Sequence, residues 1–222
     1  DGACAVGSAY NNVYAGGLGT MGCFSFHPRK SITTGEGGMI TTNDDKLASK
    51  IHVLRNHGSS VSEEQRHNGP KPYILPDFNV LGYNYRMTDL QGAIGLVQLA
   101  KLNKFIRERG DFANFYRKEL SEVSWIRIPK FPDNYLHSWQ SFVILIDESK
   151  SPFSRNRIME KLLDKGISTR PGTHAVHMLG YYSSKFKISP DDFPEAKTAN
   201  DKSISLPIHN RMVKEDVKYI IH

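Results

Sequence analysis

Gly22-Cys23-Phe24-Ser25-Phe26-His27-Pro28-Arg29-Lys30-Ser31-Ile32-Thr33-Thr34-Gly35-Glu36-Gly37-Gly38-Met39-Ile40 sets one lysine between a short apolar strand and a glycine-rich turn. Apolar residues cluster from Cys23 to Phe26 and return at Met39 and Ile40. Between them lie Ser25, Lys30, two threonines and three glycines before Met39. A lysine held among packed apolar residues and polar loop groups is a candidate Schiff-base former, because desolvation disfavours an ammonium and exposes the amine lone pair. The glycines let backbone N–H groups approach a ligand closely. Read alone, the same lysine could also be a solvated side chain beside a hairpin turn.

Outward from this segment, Asn43 is expected to cap a helix over Asp44 to Asn56, with Asp44 and Asp45 in its first turn. Residues 58–80, rich in Gly, Pro and polar groups, read as an irregular loop. After Gly82-Tyr83-Asn84-Tyr85-Arg86-Met87, the run Thr88-Asp89-Leu90-Gln91 reads as a capping box. The helix behind it carries Leu90, Ile94, Val97 and Ala100 at helical spacing. A second helix is expected over about 101–121, with Leu102, Phe105, Ile106, Phe112, Tyr116 and Leu120 inward. Residues 139–147 read as a buried strand, and Ser154 caps a helix closed by Gly166. A short extended piece over 167–170, a strand over 203–207 and a last helix from Val213 complete a small α+β domain. The boundary is placed at 105, giving residues 1–105 and 106–222.

The 222 residues suffice for one large domain or two small ones. Hydrophobic content of 39% and charged content of 23% describe an ordinary globular chain. No apolar run reaches the ~20 residues of a bilayer span. Two cysteines, Cys4 and Cys23, give no disulfide framework and fit a reducing cytoplasm. The net charge of +6 comes from scattered Lys and Arg with no nucleic-acid motif. It suits an anionic small molecule instead. His174 and His177, three apart, lack a Cys or carboxylate at ligand spacing, so no metal is expected.

The F-S-F-H-P-x-K run resembles the DegT/DnrJ/EryC1/StrS family of sugar aminotransferases that use pyridoxal 5′-phosphate. The opening Asp1-Gly2-Ala3-Cys4-Ala5-Val6-Gly7-Ser8 is similar to that family's D-A-A-Q/H-A-x-G-A. The resemblance covers almost the whole chain. It implies fold type I, like aspartate aminotransferase: part of a mostly parallel α/β large domain, then a smaller C-terminal α+β domain. It places the cofactor's Schiff base on Lys30, the partner of the pyridine nitrogen at Asp1 and a phosphate donor at Ser25. Cys4 falls at a cofactor-binding position where the family has Gln or His. Asn84 falls where the family reaches the cofactor phosphate of a second subunit, which implies a homodimer with a shared site. Arg170, His174 and His177 fall in the stretch that relatives use for the nucleotide-sugar.

The activity so implied is transfer of an amino group from an amino acid, most often L-glutamate, to a nucleotide-linked keto-sugar such as a 4-keto-6-deoxyhexose. Family members are nearly twice as long, so the chain is expected to be a piece whose other half carries further phosphate contacts and a ring-stacking aromatic residue. Two alternatives stay open. One is a sugar dehydratase of the same fold, although those carry histidine where Lys30 stands. The other is a catalytically incompetent fragment or interaction remnant.

Overall fold

The computed structural model describes residues 1–61, 65, 68, 69, 73 and 75–222. The chain divides into two compact units, Asp1–Asn103 with Asn134–Leu136, and Lys104–Asp133 with His137–His222. Part of the loop expected over 58–80 lies outside the described residues.

The first unit is built from short antiparallel pairs. β1 (Ala9–Tyr10) and β2 (Val13–Tyr14) form a hairpin whose two-residue loop, Asn11-Asn12, has φ of 48° and 64°. Positive φ at both positions is the signature of a type I′ turn, which matches the twist of the flanking strands. β3 (Gly22–Ser25) pairs with β4 (Gly38–Thr41), Ser25 opposite Gly38. The helices α1 and α2 of this unit are capped by short polar side chains. In α1 (Asp45–Arg55) the cap is Asp44, one residue later than expected: its carboxylate accepts from the N–H groups of Lys46 at 2.8 Å and Leu47 at 3.1 Å. In α2 (Asp89–Ala100) Thr88 and Gln91 form the expected capping box.

α3 (Leu102–Leu120) leads into the second unit, where β5 (Ile126–Arg127) follows. β6 (Tyr135–Leu136) returns to the first unit and pairs with β1. The second unit then adds β7 (Phe142–Ile146), α4 (Arg155–Asp164), β8 (Arg170–Pro171), α5 (Gly180–Phe186), α6 (Pro194–Lys202), β9 (Ser203–Leu206) and α7 (Lys214–Ile221). Its sheet runs β5-β7-β9-β8. β7 alternates buried and half-buried residues, as a strand covered mainly on one face should. Tyr116, Phe142, Ile146, Ile204 and Val217 are almost wholly enclosed and form one cluster with Leu120, Trp139, Ile144 and Leu206. Each such side chain contributes about 1.5–3 kcal/mol.

Every described strand pair is antiparallel, within a chain of mixed helices and strands; the short link from β3 to β4 contains no crossover helix, so these two strands pair antiparallel. Two expectations are revised here. The strand expected over 139–147 begins only at Phe142, because Trp139 has φ of +51° and cannot be extended. On α3 the buried positions are Arg109, Ala113, Tyr116 and Leu120. The Arg109 side chain donates to the carbonyls of Trp139, Gln140 and Ile208 and to Asn210 Oδ1, at 2.9–3.3 Å. These bonds compensate its burial, which pulls the guanidinium below its usual range.

Candidate active site around Lys30

The site starts from how the first residues dock on β3. The Gly2 N–H donates to the Cys23 carbonyl at 2.8 Å, and a Cβ at Gly2 would stand 2.8 Å from the Phe24 ring, so only glycine lets this turn lie so close. Asp1 accepts from the Ala3 N–H at 2.8 Å, an Asx-type turn that keeps its carboxylate at the head of the loop. The Ala5 N–H closes the next turn onto the Gly2 carbonyl at 2.9 Å. Residues 1–5 are thereby folded against the strand that ends in Ser25.

After Ser25 the chain makes a β-turn over His27–Lys30, with Pro28 at its second position and the Lys30 N–H bonded to the His27 carbonyl at 2.9 Å. The Ser25 hydroxyl oxygen accepts from the His27 N–H at 3.3 Å. Its own proton remains to be given to another acceptor. The turn delivers Lys30, half-buried, back toward the first loop: its Nζ lies 3.1 Å from Cys4 Sγ. Asp1, Cys4, Ser25 and Lys30 therefore belong to one neighbourhood around the end of β3.

Residues 33–38 are clamped behind this turn. The Phe26 carbonyl accepts from the Thr34 N–H and from the Thr33 hydroxyl, at 3.1 and 2.9 Å. The Glu36 carbonyl accepts from the Thr34 hydroxyl at 2.7 Å and from Gln91 Nε2 at 2.8 Å. Gln91 thus ties the loop to the first turn of α2 while its Oε1 accepts from the Thr88 N–H. The capping box in the sequence marks Gln91 as a helix cap; its second bond, across 55 positions, leaves no local signature. A neighbouring cavity of about 350 Å³, lined by Phe26, Ile32, Thr34, Met39, Met87 and Leu96, contains no ionisable side chain. Its described lining offers no group for acid–base chemistry.

Asn84 is exposed, and its backbone forms an isolated bridge with Asn56. Arg86 Nη1 donates to Asn56 Oδ1 at 2.6 Å, which braces the approach to α2. Among the described residues Asn84 makes no side-chain bond to the Lys30 neighbourhood. In the second unit Arg170 lies exposed on β8, opposite Ser205 of β9, and His174 is exposed in the loop that follows. His177 departs from its expected role. Its ring is buried, bonds the Pro190 carbonyl through Nε2 at 3.1 Å and packs on Phe193, so it serves this unit's own packing. Among the described residues no group of three or more His, Cys, Asp or Glu side chains could hold a metal ion. No helix among them is long and apolar enough to cross a membrane.

A model of the DegT/DnrJ/EryC1/StrS aminotransferase family matches residues 1–222. The spore coat polysaccharide biosynthesis protein SpsC of Bacillus subtilis is 34% identical over 222 residues, which are 100% of this chain and 57% of that protein. Among solved structures, the aminotransferase PseC of Helicobacter pylori, involved in pseudoaminic acid biosynthesis, superposes with a TM-score of 0.87 at 27% identity. The match covers 100% of this chain and 57% of PseC. The PLP form of the sugar aminotransferase Spr1654 of Streptococcus pneumoniae, described as putative, superposes with a TM-score of 0.86 at 25% identity, over 100% and 55% of the two chains. The chain thus spans little more than half the length of these relatives.

Proposed function

Because the chain belongs to the DegT/DnrJ/EryC1/StrS aminotransferase family, with the fold of its sugar aminotransferases, we propose that this protein is a pyridoxal-phosphate-dependent sugar aminotransferase. It moves the amino group of an amino acid, L-glutamate, to a nucleotide-linked keto-sugar of the 4-keto-6-deoxyhexose class, and does so in the cytoplasm. The observation that carries the reading is the placement of Lys30 Nζ against the Asp1–Ala5 loop, beside the strand end that bears Ser25. The printed roles of SpsC in polysaccharide biosynthesis and of PseC in pseudoaminic acid biosynthesis support a sugar acceptor.

The donor set fits the cofactor. An amine, a carboxylate and a hydroxyl with a free proton are what an aldehyde, a ring nitrogen and a phosphate require. When bound, pyridoxal phosphate supplies an electron sink that stabilises negative charge on the amino-acid α-carbon. Lys30 holds the cofactor covalently, and its Nζ then takes up and returns the proton moved during transfer. The Asp1 carboxylate keeps the ring nitrogen protonated by charge pairing. Ser25 Oγ donates to the phosphate. Asn84, exposed and without a partner in its own unit's site, is free to reach the phosphate held by a second copy, so the working form is a homodimer with shared sites. Arg170 and His174 offer an exposed cation and imidazole to the nucleotide-sugar.

The test is borohydride trapping. The protein is incubated with pyridoxal phosphate, its visible spectrum recorded, the sample reduced and the labelled peptide mapped. Label on Lys30 is expected, followed by turnover with a member of a nucleotide-keto-sugar panel. A colourless protein with no label on Lys30 would overturn the reading and favour an incompetent fragment.

A further inference from the structure

We propose that Cys4 and Lys30 form an oxidant-sensitive pair, in which a hydroperoxide drives a covalent sulfur–nitrogen bond between the two side chains. Its consequence for activity rests on the role assigned to Lys30 above; the bond itself does not.

Three observations carry it. Sγ and Nζ lie 3.1 Å apart although the residues are 26 positions apart in the chain. That is within the separation of about 3–3.5 Å at which positioned groups react. Both backbones are fixed to β3: the Cys4 loop through the Gly2 N–H to the Cys23 carbonyl, and Lys30 through the β-turn that continues the strand. Finally, the thiol is exposed, so a small oxidant reaches the sulfur. Among the described residues no carboxylate lies within ion-pair distance of Lys30 Nζ. The amine is therefore not held away from the sulfur by a counter-ion. Cys23, the other free thiol, is also exposed, and among the described residues the lysine-to-thiol hydrogen bond is made to Cys4 and not to Cys23.

The chemistry takes two steps. Cys4 sulfur attacks the terminal oxygen of the hydroperoxide. An S–O bond forms, the O–O bond breaks, and the departing oxygen takes the thiol proton and leaves as water or alcohol. Sulfur is oxidised by two electrons and the peroxide is reduced by two. The neutral Lys30 amine then attacks the sulfur of the sulfenic acid. An N–S bond forms, the S–O bond breaks, and hydroxide leaves with one N–H proton as water. Sulfenic acids condense with nitrogen in this way when one is held close. A thiol reductant reverses the link, returning the amine and the cysteine. While the link lasts Lys30 cannot hold a cofactor, so peroxide closes the site and a reductant reopens it.

The experiment treats the full chain, free of cofactor, with hydrogen peroxide, then digests it without reductant and maps the peptides by mass. The expected product joins the Cys4 and Lys30 peptides and is two hydrogens lighter than their sum. It persists in Cys23→Ser, disappears with dithiothreitol and is prevented when pyridoxal phosphate is first fixed on Lys30 by borohydride. Borohydride labelling of Lys30 is expected to be lost after peroxide and regained after dithiothreitol. Recovery of Cys4 as its sulfinic acid, or as a disulfide with Cys23, with Lys30 still free, would overturn the proposal. Label on Lys30 without any cross-link sinks the pair and leaves the functional reading standing. A cross-link without pyridoxal-phosphate label keeps the pair and sinks its link to activity.

Discussion

The two units use their apolar residues in opposite ways. In the second, β7 and β9 present Phe142, Ile144, Ile146, Ile204 and Leu206 to α3 and α7, and Tyr116, Leu120 and Val217 close over them. The Tyr116 ring stacks on Phe142 at 4.9 Å while its hydroxyl reaches the Pro207 carbonyl at 2.9 Å. Among the described residues of the first unit only Ala9 and Ile32 are buried apolar side chains, α1 and α2 have no buried residue, and β4 is exposed along its length. Among the described residues that unit is ordered by turn and loop hydrogen bonds around β3 and by the clamp of Gln91 on Glu36. A core made of packed side chains resists change at each buried position. A site made of turns depends on where a few donors and acceptors sit. Substitutions in the packed core of the second unit and at the Lys30 turn of the first should therefore separate loss of stability from loss of chemistry.

The largest effect should come from the site. Lys30→Ala removes both the covalent hold and the proton carrier, and proton transfer alone is worth roughly 10²–10⁴-fold. Transamination should fall at least that far while the unfolding midpoint stays where it was, because Lys30 Nζ bonds only Cys4 among the described residues. A midpoint shift of several degrees in thermal unfolding would show that the lysine is part of the framework instead. The mirror-image substitution is Phe142→Ala. Phe142 is wholly buried between Tyr116 and Trp139, and such truncations cost about 3–5 kcal/mol. Denaturant unfolding should register that loss, while cofactor labelling of Lys30 in the protein that remains folded should persist.

The resemblance of two motifs singled out Lys30, Ser25 and the Asp1-to-Cys4 opening, and the structure gathers these residues at the end of β3. The capping box at Thr88 and the Ser154 cap were readable because capping chemistry is local. The apolar spacing of Leu90, Ile94 and Val97 identified α2, yet all three are exposed. Periodicity marks a face without saying what lies on it. Arg109 escaped because a helix pattern read for apolar residues has no place for a guanidinium. Its partners, Trp139, Gln140, Ile208 and Asn210, lie at least 30 positions away. The return of β6 to the first unit escaped because two-residue strands have no period to detect. His177 looked like a ligand-facing residue beside His174, and only packing against Pro190 and Phe193 distinguishes the two.

Arg109 gives the next prediction, smaller than Phe142→Ala. Arg109→Met keeps the stem that lies in the core and removes the donors. Several buried carbonyls then lose their partner, against a gain from no longer burying a charge. Hydrogen bonds to a charged group are worth about 1.5–3 kcal/mol each before that gain is counted, so a net loss of about 2–3 kcal/mol is expected in denaturant unfolding. A variant as stable as the parent would mean that the guanidinium is dispensable and that apolar packing alone sets the second unit's stability.

The smallest effect concerns pH, and it should also arise in the second unit. The ring of His137, an exposed residue, packs on Trp139 and Phe131, and the desolvation this brings holds its imidazole below the usual range. Its Nδ1 accepts from the Trp139 N–H at 2.9 Å, a bond that only the neutral ring can make and that pins the residue at φ +51°. The unfolded chain protonates this histidine near pH 6.5, the folded chain only at lower pH, so between these points the unfolded state binds more protons. Stability is then fully present above about pH 6.5 and falls as pH drops toward the folded value. The unfolding midpoint should decline over that window in the parent chain. His137→Asn, whose side-chain oxygen can accept from the same N–H without titrating, should flatten the decline. If the slope survives that substitution, the acid-sensitive group lies elsewhere, and the decline would need another histidine to explain it.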